Sequence, residues 1–182
     1  MSLSCGRLLL PWGRQVRMTL GIRIKALFLD WLFICAYLII LLLVAMTVFL
    51  VALDGIPDFT HGQAQWMATL TSVVPIIVIF SIMEGSPPFG SWGKRKTKLL
   101  VSYRGRALQR SVLRNSLKFL PWQLGHMSTI NGIYRGFDHL SSAICLALSV
   151  ILTISYIGMA LRRKDGRHLA DLIAGSRVVK SP

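Results

Sequence analysis

One uncharged segment constrains the fold of this chain more than any other feature. The 23 residues from Trp31 to Leu53 contain no charged side chain. At about 1.5 Å of rise per residue, a helix of this length spans a hydrocarbon core about 30 Å thick. Arg23 and Asp30 stand just before the segment. The sequence therefore predicts a membrane protein whose function depends on this helix and on the segments that pack against it.

Composition agrees with a chain that is solvated by a bilayer. The mean hydropathy is +0.57 and 53% of the residues are apolar. The formal net charge is +14, from 21 Lys and Arg against 7 Asp and Glu. These charges lie in blocks between apolar segments, which is typical of short cytoplasmic loops facing anionic lipid. We therefore expect membrane lipid as a partner, and no nucleic acid.

The chain is predicted to form one membrane domain after a short arm. Residues 1–20 indicate a basic, disordered arm, with Met18 as an alternative start, and residues 21–182 form the domain. Cys5 precedes any hydrophobic segment, while Cys35 and Cys145 fall inside apolar ones. Without a CxxC pair or a Cys/His cluster, we expect no disulfide framework, metal site or cofactor.

Further apolar segments predict a polytopic, all-α transmembrane bundle. The first span runs from about Ala26 to Leu53 and ends at a turn. A second runs from Met67 to Met83, with a kink at Pro75, since proline removes one backbone hydrogen bond. The last runs from Leu140 to Leu161, and its Ser and Thr residues can pack against another helix.

The region between the second and last spans is harder to assign. The pattern from Arg106 to Leu124 predicts an amphipathic helix, with Arg110, Arg114 and Lys118 recurring every four residues. The following part, up to Phe137, is apolar but carries several polar residues. It could cross the membrane only if other helices shelter it.

The distribution of positive charge favours four crossings with both ends in the cytoplasm. Residues 1–25 hold five Lys and Arg, 54–66 hold none, 85–139 hold ten and 162–182 hold six. Three spans alone would place the basic tail outside, against the positive-inside rule. A crossing between about Lys118 and Phe137 removes that conflict. Three crossings with an interfacial amphipathic helix is the alternative.

Three ionisable residues near the predicted cytoplasmic face are candidates for a polar cluster. Arg23 and Asp30 are seven residues apart and share a helix face, and Asp171 lies in a short helical pattern, 167–174, before Gly175. The simpler interpretation is that Arg23 reaches lipid phosphates, that Asp30 favours the helix N-terminus and that Asp171 is solvated. The functional interpretation is that these residues bind an ion or pass a proton.

Other polar residues have narrower roles. Glu84 and His126 are candidates for proton or ion coupling, against the simpler interpretations of a helix end and a structural histidine. The sequence contains no arrangement of a nucleophile or of metal ligands that would predict an enzyme. The basic residues expected to contact lipid head groups are Lys94, Arg95, Lys96, Arg110, Arg114 and Lys118.

Four motifs follow one another along the chain. They are Arg23 with Leu29-Asp30, Gly93-Lys94-Arg95-Lys96, Leu113-Arg114-Asn115 through Pro121-Trp122, and Arg167-His168-Leu169-Ala170-Asp171 through Val179. In this order they resemble the RDD family, small prokaryotic integral membrane proteins named for one Arg and two Asp. The resemblance covers about Gly21 to Val179, with Ser91 where the family often has Thr and Ala170 where it often has His.

The resemblance implies a multi-pass protein of the bacterial or archaeal plasma (inner) membrane. It makes Arg23, Asp30 and Asp171 the signature residues, and it implies a part in transport, with exchange of a cation for protons as one form. We predict that Arg23 contacts one or both aspartates. A chain this small would act as a homo-oligomer through its last span, on a cation or small solute. The alternative is an adaptor or assembly factor that binds lipid or protein through its basic loop.

Overall fold

The computed structural model describes residues 20–163 and 165–181, so the predicted arm and the start at Met18 lie outside the described residues. This part is mostly helical, with one small sheet. The elements are α1 (Leu20–Thr47), α2 (His61–Ala68), α3 (Val74–Gly85), α4 (Trp92–Lys96), β1 (Leu99–Tyr103), α5 (Ala107–Arg135), α6 (Leu140–Arg162), α7 (Leu169–Ile173) and β2 (Ser176–Lys180).

Three helical segments are long and apolar enough to cross a membrane. They are Leu20–Ala52, His61–Gly85 and Leu140–Arg162, and they contain the three predicted spans. The first is α1 extended by a π-helical turn at Val48–Ala52. The second begins earlier than predicted because Thr60 and Gln63 form a capping box before His61. We call this second segment helix α2–α3.

The segment forms a π-helical turn at Thr69–Val73, just before Pro75, where the sequence predicts a kink. Proline has no N–H to give to the carbonyl four residues earlier, which belongs to Thr71. The Tyr37 hydroxyl on α1 donates to that carbonyl at 2.5 Å. The proline therefore creates an acceptor that ties the first two membrane segments together.

Pro121 has the same effect inside α5. Its missing N–H leaves the carbonyl of Leu117 free, and the Tyr156 hydroxyl on α6 donates to that oxygen at 2.9 Å. Helix α5 continues through the proline from Ala107 to Arg135. The separate amphipathic and weakly apolar segments predicted from the sequence are thus one continuous helix.

Helix α5 lies between the helix α2–α3 and α6. On its α6 side, the Ser128 hydroxyl donates to the Ser142 carbonyl and the Ser142 hydroxyl to the Ser128 carbonyl, both at 2.9 Å. Ser149 donates to the Pro121 carbonyl at 2.7 Å. The serine face of the last span, predicted to serve contacts between copies, therefore packs within the protomer.

A two-stranded sheet, which the all-α prediction missed, joins the loop after helix α2–α3 to the tail. Strands β1 and β2 are antiparallel, with Leu99 opposite Lys180 and Tyr103 opposite Ser176. Gly175, at φ +59°, follows α7 and starts the return strand, as predicted for a helix C-cap. The sheet holds the C-terminal tail beside the first turns of α5.

Candidate functional site

Asp30 on α1 is enclosed by the short helix α4 and the residue before it. Its carboxylate accepts hydrogen bonds from the Ser91 hydroxyl at 2.6 Å and the Gly93 backbone N–H at 2.8 Å. The Lys94 ammonium lies 3.4 Å from the same carboxylate. Asp30 is therefore a docking point for α4, and is not simply a charge at a helix N-terminus.

Gly93 is required by this contact. A Cβ at this position would meet the Ala26 carbonyl oxygen at far below van der Waals distance, and would lie 2.8 Å from the Asp30 Oδ1. The glycine thus lets the backbone of α4 approach that of α1 closely enough to donate its N–H. The Gly-Lys pair of the second motif has two distinct tasks, since Gly93 permits contact and Lys94 supplies charge.

Glu84 lies at the centre of the site, in the last turn of α3. The Lys94 ammonium donates to its Oε1 at 2.7 Å, and the Arg114 guanidinium binds Oε2. The Asn115 amide also donates to Oε2, at 3.2 Å. A carboxylate at a helix C-terminus is unfavourable with respect to the helix dipole, so these donors offset both the dipole and the burial.

Asp171 completes the arrangement. The Arg114 Nε donates to its Oδ1 at 2.6 Å, and the Ser176 hydroxyl to the same oxygen at 3.1 Å. Burial disfavours ionisation of Asp171, but the Arg114 guanidinium prevails and lowers the pKa of the carboxyl. The same guanidinium also binds Glu84, so Arg114 is shared between two buried carboxylates.

Five side chains therefore alternate in charge across the site, and we call them the ionic network. All are buried, with between 0% and 8% of their surface exposed. Lys94 bridges the first two carboxylates and Arg114 the last two. The members are, in spatial order, Asp30, Lys94, Glu84, Arg114 and Asp171.

Arg23 is not a member, so the predicted contact with Asp30 or Asp171 is wrong. Its guanidinium donates to the carbonyls of Gly166 at 2.6 Å and Asp165 at 3.2 Å. The Arg23 guanidinium is bound to the backbone of the loop before α7, and the Asp171 carboxylate is bound to Arg114. The tail does fold back onto the first span as predicted, but through main-chain oxygens.

The predicted head-group contacts divide into two groups. Lys94 and Arg114 are buried in the ionic network, so these two assignments are wrong. The Lys118 ammonium lies over two phenylalanine rings, but its side chain is half-buried, so its contact with a head group remains a prediction. Periodicity located the basic stripe on α5 but not the carboxylates opposite it. Arg95 and Lys96 are exposed, Arg110 is half-buried, and their contact with lipid remains a prediction.

Glu84 and His126, the predicted coupling residues, occupy different surroundings. Glu84 is in the ionic network, whereas His126 lies further along α5 with its ring 5.3 Å from that of Trp122. The His126 Nδ1 is buried and has no hydrogen-bond partner among the described residues. Sequence reasoning missed the contacts of Glu84 with Lys94 and Arg114, which lie 10 and 30 residues later in the chain and on different elements.

This chain matches a known protein family. The profile described as the RDD family matches residues 17–175, which is most of the chain. The match contains every residue of the ionic network. No curated protein and no solved structure matches the chain.

Proposed function

The chain belongs to the RDD family and is an integral membrane protein, and from this we propose that it exchanges a cation for protons across the membrane. The proposal depends on one observation, which is the charge balance of the ionic network. Three carboxylates face two cationic side chains. With all five ionised, the network alone carries one net negative charge, while the Lys118 ammonium lies outside it over two phenylalanine rings and forms no ion pair with a described carboxylate.

A buried net charge is costly, so such a site favours one further positive charge. A proton or a metal cation can each supply it, and each excludes the other. An exchanger requires at least one binding site for which the two ions compete. The carboxylates of Asp30 and Asp171 lie at opposite ends of the network, and Glu84 links them, so an added charge at one end is felt at the other.

We further propose that α5 is the fourth crossing, which keeps both termini in the cytoplasm. Arg114 of α5 contacts Glu84 at one end of helix α2–α3, while Asn131 contacts His61 at the other end, at 2.7 Å. The two helices are thus antiparallel over the same length. Polar groups along the middle of α5, such as Gln123 and Ser128, bond to neighbouring helices, as an internal crossing requires. In this topology the ionic network lies at the cytoplasmic side of a prokaryotic plasma membrane.

The decisive experiment is flux through the purified protein in liposomes that contain a pH-sensitive dye. Adding sodium or potassium chloride outside should drive proton movement in the opposite direction. Glu84→Gln should abolish that movement, whereas Asp54→Asn should not, because Asp54 is exposed in the loop after α1. If liposomes with the protein showed the same proton flux as protein-free liposomes for every cation tested, exchange would be refuted.

An adaptor or assembly factor is the second candidate, and a specific surface favours it. The segment from α4 to the start of α5 carries five exposed basic residues, which form a site for anionic lipid or an acidic protein. Such a role needs no ion movement, so flat flux with retained binding to anionic vesicles would support it. These residues are Arg95, Lys96, Lys98, Arg104 and Arg106.

We also propose that exchange requires a homo-oligomer. A single copy has few helices with which to enclose a pathway. The most apolar stretches of the first and last spans have none of their residues buried, so both are available to lipid or to a second copy. Crosslinking in lipid, followed by mass measurement in detergent, would detect the assembly.

A further inference from the structure

One row of side chains on α5 faces helix α2–α3 along most of its length. Residues four apart form a ridge on a helix, which packs into the groove of its neighbour. In this ridge polar residues alternate with apolar ones, so a polar group faces helix α2–α3 at every second step. The row is Asn115, Phe119, Gln123, Met127 and Asn131.

Beyond Phe119, several contacts across this interface are polar. The Gln123 amide donates to the Thr69 hydroxyl at 2.8 Å. The Gln65 amide lies 3.3 Å from the Asn131 Oδ1, and the His61 Nε2 lies 2.7 Å from the same oxygen. These groups lead from the middle of α5 to the membrane face where His61 stands.

The same interface contains buried polar atoms that no described residue satisfies. One is the Gln123 Oε1, and the His126 Nδ1, further along α5, is likewise without a partner among the described residues. Nearly all buried polar atoms in native proteins have a partner, and water supplies it where protein does not. The unsatisfied Gln123 Oε1, beside three polar contacts, indicates water within the interface.

The polar contacts are interrupted before they reach the ionic network. The Phe80 and Phe119 rings pack edge to face, with centroids 5.4 Å apart. On the inner side of this pair, the Asn115 amide donates to Glu84. The Lys118 ammonium lies 4.9 Å from each ring centroid, and among the described residues no carboxylate is within ion-pair distance of it. A cation above two rings repels other cations at this point.

We propose that the outer half of the interface between helix α2–α3 and α5 is a hydrated pocket, open at His61 and closed at the Phe80–Phe119 pair. Its water lets protons approach the ionic network, while Lys118 repels metal cations. The role as a proton route rests on the proposed exchange. The hydration does not, since it follows from the polar contacts together with the unsatisfied Gln123 Oε1.

The test measures water access directly, with the full chain in lipid nanodiscs and its native cysteines replaced by alanine. Gln123→Cys and Asn131→Cys place thiols in the pocket. Leu120→Cys and Ile133→Cys are matched controls on the exposed side of the same helix, at similar depths. A small charged methanethiosulfonate reagent should modify the pocket thiols at least about tenfold faster, because only the thiolate reacts and it forms only where water reaches.

Equal rates for pocket and control thiols would overturn the proposal. Thr69→Cys probes the same pocket from helix α2–α3, so one variant that fails to fold does not decide the result. Proton flux in liposomes then tests the route, since Gln123→Leu should slow it and Leu120→Ala should not. Fast labelling with no flux in any variant would keep the pocket and refute the exchange.

Discussion

Replacing Arg114 by glutamine should destabilise the folded protein more than any other removal of one charge from α5. Arg114 is 2% exposed and binds the carboxylates of both Glu84 and Asp171. Glutamine keeps an amide donor but loses the charge, so a second buried negative charge remains without compensation. Removing one partner of a buried ion pair costs about 3–5 kcal/mol. We expect a loss in this range in the free energy of unfolding.

The assay is reversible unfolding in mixed micelles, where increasing SDS unfolds the helices. Arg106→Gln is the matched control, since it removes the same charge from an exposed position at the start of the same helix. Its cost should stay within about 0.5 kcal/mol, as for most surface substitutions. Combining Arg114→Gln with Asp171→Asn removes a repelled carboxylate as well. The loss of unfolding free energy in the double variant should therefore be smaller than the sum of the two single losses by about 0.5–3 kcal/mol.

Small losses that add would refute this reasoning. If Arg114→Gln and Asp171→Asn each cost less than about 1 kcal/mol, the pair behaves as an exposed salt bridge. The ionic network would then be hydrated, and its net charge would not select for an additional ion.

Three further predictions follow from single contacts. Gly93→Ala should cost about 1–3 kcal/mol of unfolding free energy by forcing α4 away from α1, whereas Gly158→Ala, with open space around it, should be neutral or stabilising. Tyr37→Phe and Tyr156→Phe each remove a donor to a carbonyl that a proline leaves free, and each should cost about 0.6–1.7 kcal/mol in the same unfolding assay. Burial lowers the pKa of His168 to about 4, so the unfolded chain binds a proton that the folded one rejects. Melting temperature should therefore fall as the pH is lowered from about 6.5 towards 4, and His168→Gln should flatten that fall.

The membrane helices were accessible to prediction because each depends on a local property. The uncharged segment before Leu53 and the apolar segment before Arg162 are long enough to identify themselves. Helix α5 was divided in two because its hydropathy changes along its length, while the structure is continuous through Pro121. Its polar residues are compensated by helix α2–α3, which no local window can record.

The ionic network was only half predictable for the same reason. Asp30 and Asp171 were recognised as signature residues, and Arg23 was expected to pair with them because it is near Asp30 in the sequence. The cations that do pair are Lys94 and Arg114, which four-residue spacing and charge density assigned to lipid. Only the approach of α4 at Gly93 and the return of the tail through the sheet bring them inward.

The small sheet was missed because each strand is only five residues long. Val178 pairs with Val101, which lies 77 positions earlier in the chain. No hairpin turn joins the two strands, so the sequence around each strand does not indicate its partner. The same contact fixes Ser176 beside Asp171, so a strand that looked like a tail helps to build the site.

The most direct test of the central claim, that the network takes up the exchanged ion, is an infrared difference spectrum. The protein in lipid would be compared with and without sodium or potassium chloride at fixed pH. If the cation replaces a proton in the ionic network, the carboxyl bands should change in the wild-type protein. That change should be absent in Glu84→Gln and retained in Asp54→Asn. An identical spectrum in the Glu84 variant, together with intact cation-driven proton flux, would contradict the account, because exchange would then proceed without the network.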